Sequence, residues 1–155
     1  MTGPMDRLGS TPRLRRPMDG VTLTLLVLVG TATLTLAYVV PQVLDDPFEG
    51  ATPQRAVPVL QAMALFDASM AAGLVLFKHR LRQPGAARFA ALGLLSVALL
   101  IQGLAYADAA MAYLGHGPQM ELVVWTVGAM ALALLVAATR LARSIWEVPG
   151  RLGGG

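Results

Sequence analysis

Long uncharged stretches alternate with short polar segments along this chain. No charged residue occurs from Gly20 to Leu44, and further apolar runs cover about 57–77, 89–114 and 120–141. At a rise of about 1.5 Å per residue, a helix of roughly 20 residues crosses a hydrocarbon core of about 30 Å. The pattern therefore predicts an all-α membrane protein, a bundle of four transmembrane helices of which the first covers about 21–43.

The segments between the apolar runs are rich in proline, glycine and charge. Turn-forming residues separate the first two runs, a Pro-Gly pair lies within 78–88, and the sequence GHGP at 115–118 predicts a tight hairpin. Residues 1–19 contain three prolines and four arginines, and residues 147–155 are rich in glycine. We therefore expect disordered cytoplasmic tails on either side of one transmembrane domain over 20–146.

The first apolar run has a basic start, as a secretory signal peptide does. A signal peptide has an apolar core of about 7–15 residues followed by a small-residue cleavage site. The run from Gly20 to Leu44 is much longer. This length favours an uncleaved transmembrane helix.

Composition and charge agree with a membrane location. Of the 155 residues, 55% are hydrophobic and 14% are charged, and the net charge is +3. Four of the 12 Lys and Arg residues lie in the N-terminal tail, four within 78–88 and three near the C-terminus, which leaves Arg55 alone on the opposite side. This distribution predicts an inner-membrane protein with both termini in the cytoplasm, and its partner is the lipid bilayer rather than nucleic acid.

Asp67 interrupts the second apolar run at its midpoint. A charged side chain at that depth costs about 2.5–3.5 kcal/mol on insertion scales, and no basic residue lies at the same depth. Helix register puts Thr31 and Gln102 near this level, so we predict a Thr31–Asp67–Gln102 layer in which Asp67 is protonated at rest and donates a hydrogen bond. The layer is either a proton or cation site or a neutral polar contact that joins helices.

A second polar group is predicted closer to the outer surface. Asp108, Gln61 and Glu121 lie at compatible heights and would line a small vestibule, unless the two acids simply reach the headgroups. Tyr106 is four residues after Gln102 on the same helix face. It belongs either to a ligand-contacting stripe or to ordinary helix packing.

Small residues recur at four-residue spacing in two of the predicted spans, a pattern that allows helix backbones to approach closely. They are Ala64, Ala68 and Ala72 in the second span and Ala129, Ala133 and Ala137 in the fourth. The helix that packs on them belongs either to the same chain or to another subunit.

Several kinds of chemistry have no support in the sequence. There is no cysteine, and His79 and His116 lie outside the predicted spans, which argues against haem ligation within the bundle. The acidic turn with Asp45, Asp46 and Glu49 resembles a solvated loop more than a cation site. No catalytic motif is present. We therefore expect no cofactor, no metal site and no enzymatic activity.

Three classes of function remain open. Short loops and small-residue rows favour a structural or accessory subunit that packs within a larger membrane assembly. The alternative is a small transporter, a homo-oligomer coupled to protons or cations through Asp67. A membrane-embedded enzyme is the third class, and it lacks a convergent set of polar residues.

Overall fold

The computed structural model describes residues 19–45, 53–81, 83 and 85–146, which form helices and turns without strands. Its four helices are α1 (Gly20–Leu44), α2 (Pro53–Leu81), α3 (Ala86–Ala112) and α4 (Pro118–Trp146). Each is long and apolar enough to cross a membrane. The predicted all-α fold with four spans is thus confirmed. The predicted tails at 1–18 and 147–155 lie outside the described residues.

The third span ends two residues earlier than predicted. Its predicted end was residue 114, but α3 ends at Ala112, and a turn over 113–117 follows. Gly115 and Gly117 have φ values of 90° and 96°, a left-handed conformation that glycine adopts without steric cost. Apolarity alone does not show where this reversal begins, because Tyr113 and Leu114 are as apolar as the helix before them.

The helix α1 widens into a π-helical turn over Thr35–Val39, in which the backbone N–H of Val40 donates to the carbonyl oxygen of Thr35. Pro41 accounts for the change. It has no N–H to give to the carbonyl of Ala37, and its ring would collide with that carbonyl in a regular α-helix. Such π-turns are uncommon and occur frequently at functional sites.

The four helices pack unequally. The helices α3 and α4 pack along most of their length, α1 packs on both α2 and α4, and α2 touches α3 over only a short stretch. The start of α1 lies beside the end of α4, because a Cβ atom built on Gly20 would be 3.5 Å from the carbonyl oxygen of Arg140. We call this sparse contact between α2 and α3 the loose seam of the bundle.

The end of the bundle that contains the 113–117 turn and the start of α2 is called the hairpin end below.

Large apolar side chains cover the outer surface of the bundle. Their exposed fractions reach 78% for Leu76, 76% for Leu94 and 70% for Trp125. A soluble monomer rarely shows such an apolar surface, whereas lipid tails solvate it well. The chain is a multi-pass membrane protein, and its described residues form helices joined by turns.

At Gly103 the helices α3 and α4 approach each other closely. A Cβ atom there would lie 3.1 Å from Cγ of Leu135 and 3.3 Å from the backbone oxygen of Ala131. We expect Gly103→Ala to lower the free energy of unfolding in detergent by about 1–2 kcal/mol, because the backbone oxygen cannot move away. Gly93→Ala is the control in the same helix, since nothing lies within 4 Å of its Cβ position. Equal losses in the two variants would contradict the close approach.

Candidate functional site

Asp67 lies at the centre of α2 and has no exposed surface. Its burial follows from helix periodicity, since residues spaced three and four apart share one face. The other members of this buried face are apolar: Leu60, Ala64, Ala71 and Leu74. Asp67 thus places a carboxyl group on a buried helix face whose other members are apolar.

Hydroxyl groups from two other helices meet one oxygen of this carboxyl group. Thr31 Oγ1 of α1 donates to Asp67 Oδ2 at 2.7 Å, and the Tyr106 hydroxyl of α3 donates to the same oxygen at 3.1 Å. Thr35 Oγ1 lies 2.8 Å from the Tyr106 hydroxyl oxygen. All of these side chains are buried. The acid therefore connects α1, α2 and α3.

Gln102 completes this group, which we call the Asp67 cluster: Thr31, Thr35, Asp67, Gln102 and Tyr106. The Gln102 side chain adjoins the carboxyl group of Asp67. Its amide nitrogen donates to the backbone oxygen of Met63 at 3.0 Å. Within the described part of the chain, Asp67 Oδ1 is buried without a hydrogen-bond partner.

The Thr31 hydroxyl has two acceptors within reach. It lies 2.7 Å from Asp67 Oδ2 and 3.1 Å from the carbonyl oxygen of Leu28. A hydroxyl has one proton to donate and lone pairs that accept. If Asp67 is a carboxylate, Thr31 donates to it. If Asp67 is a carboxylic acid, it donates to Thr31, which then donates to Leu28.

The hydroxyls of Tyr106 and Thr35 have the same freedom, because either of them can be the donor in their hydrogen bond. Reversing these donors requires rotation of hydroxyl hydrogens and no movement of heavier atoms. The Asp67 cluster therefore accommodates the carboxylate and the carboxylic acid in one arrangement of side chains.

A basic partner for Asp67 is absent from the described residues around it. Lys78 is 11 residues from Asp67 and therefore about 16 Å away along α2. Arg55 is 12 residues from Asp67 in the other direction, or about 18 Å. The remaining described Lys and Arg side chains also lie near helix ends, at Arg80, Arg88, Arg140 and Arg143. A carboxylate at this position would be held by neutral side chains, the hydroxyls of Thr31 and Tyr106 and the amide of Gln102.

The structure brings together Thr31, Asp67, Gln102 and Tyr106 among the candidates from the sequence. Tyr106 hydrogen-bonds Asp67 directly, a role that its place in the sequence did not indicate, and Thr35 was not among the candidates. Thr35 is four residues after Thr31, as Tyr106 is after Gln102, so each pair lies on one helix face. This spacing is the signal in the sequence that would have identified Thr35.

The other polar candidates do not join in one vestibule. Asp108 lines a groove between α2 and α3, whereas Glu121 lines a separate groove beside the 113–117 turn. Gln61 is exposed and lines neither of these grooves. Their heights along the helices are compatible, but they face different directions around the helix axes.

No group of three or more His, Cys, Asp or Glu side chains that could hold a metal ion occurs among the described residues. Asp46 and Glu49, two members of the acidic turn after the first span, lie outside those residues. The third member, Asp45, follows directly after α1 and is exposed.

No protein-family model matches the chain, and neither a curated protein nor a solved structure resembles it. No known relative therefore supplies a function for the Asp67 cluster. Its function has to be inferred from the geometry and chemistry of its own residues.

Proposed function

We propose that this membrane protein is a small proton-coupled transporter in which Asp67 takes up and releases the coupling proton. The observation that carries the proposal is the Asp67 cluster, a fully buried acid at the centre of α2 whose partners are neutral hydroxyl and amide groups. Acids within membrane spans are costly and commonly mark proton pathways. The two donor arrangements around Thr31 fit a group that changes protonation state.

Coupling to a solute requires that protonation favour one conformation over another. Asp67 of α2 hydrogen-bonds Tyr106 of α3, Gln102 of α3 donates to the Met63 backbone oxygen, and these two helices otherwise touch over only a short stretch. A charged Asp67 gains from every donor and from water, whereas a neutral Asp67 tolerates a dry environment. Loss of the proton therefore favours opening of the seam between α2 and α3, and protonation favours its closure.

We also propose where the protein is located and how its copies assemble. The excess of Lys and Arg at the termini and within 78–88 favours an inner membrane with both termini in the cytoplasm. A homo-oligomer is expected, because four helices enclose little space for a pathway. No catalytic role is proposed.

A structural or accessory subunit is the second candidate, and one observation favours it. A shallow groove between α1 and α4 has small residues along it, Gly30, Ala129 and Ala133, where a helix of another subunit can approach closely. In that case the Asp67 cluster is a clamp between helices. A structural contact between helices does not need hydroxyl groups that can reverse which of them donates. For this reason we prefer the transporter.

Infrared spectroscopy during a pH titration of the purified protein tests whether Asp67 changes protonation state. We expect a C=O stretching band of a buried carboxylic acid that disappears reversibly as the pH is raised. The band should be missing in Asp67→Asn. It should be retained in Glu121→Gln, which removes an exposed acid in the groove beside the 113–117 turn. A spectrum without a pH-dependent band from Asp67 would overturn the proposal and leave the clamp.

A further inference from the structure

A groove of about 520 Å³ lies between α2 and α3 at the hairpin end. It follows the loose seam of the bundle, and its size is within the range of about 300–1,000 Å³ that is typical of small-molecule sites. Alanines of α3, at Ala105, Ala109 and Ala112, leave space along one wall. The groove is distinct from the Asp67 cluster, none of whose members line it.

The lining of the groove is polar at one end and apolar at the other. Arg55 and Asp108 supply a positive and a negative charge, and both side chains are exposed. Val59 and Met63 follow Arg55 at intervals of four residues, so Met63 lies about 12 Å deeper along α2. A molecule in the groove therefore meets two opposite charges near the hairpin end and an apolar surface towards the membrane centre.

The deep end of the groove adjoins the Asp67 cluster. Met63, which lines the groove, accepts the hydrogen bond of Gln102 through its backbone oxygen. It is also one helical turn from Asp67. The apolar part of a bound molecule would thus lie next to the layer that contains the acid.

We propose that this groove binds a small zwitterion with an apolar tail. The anionic group pairs with Arg55, the ammonium group pairs with Asp108, and the tail packs on Val59 and Met63. A free solute such as an apolar amino acid and a zwitterionic lipid share this chemistry. The binding site stands on the groove alone, and only the further step that the zwitterion is the transported substrate rests on the proposed function.

The test measures binding to the purified full-length chain in detergent by calorimetry, with three probes that share a phenyl group. They are phenylalanine as the zwitterion, phenethylamine as the cation and 3-phenylpropionate as the anion. A parallel arm uses native mass spectrometry to compare phosphatidylethanolamine, which is zwitterionic, with phosphatidylglycerol of the same acyl chains. We expect the zwitterion to bind about tenfold tighter than its singly charged counterparts in at least one arm, and added salt to reduce the difference.

Variants show whether the preference comes from this groove. Asp108→Asn and Arg55→Gln should each weaken binding of the zwitterion by about three- to tenfold, a modest factor because exposed charges are screened. Glu121→Gln, at the same end of the bundle but in another groove, should have no effect. Binding of phenylalanine alone identifies a solute site, and binding of phosphatidylethanolamine alone identifies a lipid site.

Equal binding of all three charge types, no binding in either arm, or an equal loss in Glu121→Gln would overturn the inference. None of these results depends on the protonation of Asp67. Failure of the infrared titration together with intact zwitterion binding would refute the proposed transport and keep the site. Failure of zwitterion binding together with a normal infrared titration would refute the binding site and keep the proposed transport.

Discussion

Proton movement across the membrane should fall to the level of protein-free liposomes when Asp67 is replaced by asparagine. In proteoliposomes that contain a fluorescent pH indicator, we expect a low-molecular-mass cell extract added outside to start proton movement with the unaltered protein. Asparagine has the size of aspartate but cannot take up or release a proton near neutral pH. Coupling should therefore be lost, while Glu121→Gln should retain the unaltered rate.

The same substitution should leave the fold intact. The side-chain oxygen of asparagine accepts hydrogen bonds from Thr31 and Tyr106 as Asp67 Oδ2 does. We expect the free energy of unfolding to fall by only about 1–3 kcal/mol, because the asparagine NH2 group takes the place of Oδ1, which has no partner, and the helical circular dichroism to stay the same. Proton movement at the unaltered rate in Asp67→Asn would contradict the transporter and favour the clamp.

The helices and the depth of Asp67 were predictable because both depend on position along the chain. An uncharged run of sufficient length specifies a span, and a rise of about 1.5 Å per residue then gives the height of each side chain. Thr31, Asp67 and Gln102 were placed at one level by this reasoning alone. The structure has all three within one polar group.

Direction around the helix axis was not predictable in the same way. Gln61 and Met63 differ in height by about 3 Å, yet Met63 lines the groove between α2 and α3 and Gln61 does not. That outcome depends on which helices are neighbours, and four apolar runs of similar length do not specify it. The long side chain of Tyr106 adds a further difficulty, because it reaches Asp67 from a backbone position one turn closer to the hairpin end than Gln102.

The alanine rows show the same limit. Ala64 is fully buried, whereas Ala68 and Ala72 are exposed. In α4, Ala137 is buried, Ala133 is half-buried and Ala129 is exposed. A four-residue step advances the helix by more than one turn of 3.6 residues, so each row drifts out of the contact within two steps. Only one end of each row packs within the bundle.

Ala64→Leu should therefore strongly destabilise the protein, and Ala68→Leu should not. The larger side chain at Ala64 has no exposed space to enter, since the alanine is buried beside Leu60 and Asp67 on the inner face of α2. We expect a loss of about 3 kcal/mol in the free energy of unfolding, at the upper end of the usual cost of overpacking. The exposed Ala68 position should change by no more than about 0.5 kcal/mol. Denaturant titration in mild detergent measures both, and the native mass of each variant should be recorded alongside. If Ala68→Leu is as destabilising as Ala64→Leu, or changes the native mass, another chain covers that face of α2. That result would favour an accessory subunit over the transporter that the Asp67 cluster supports.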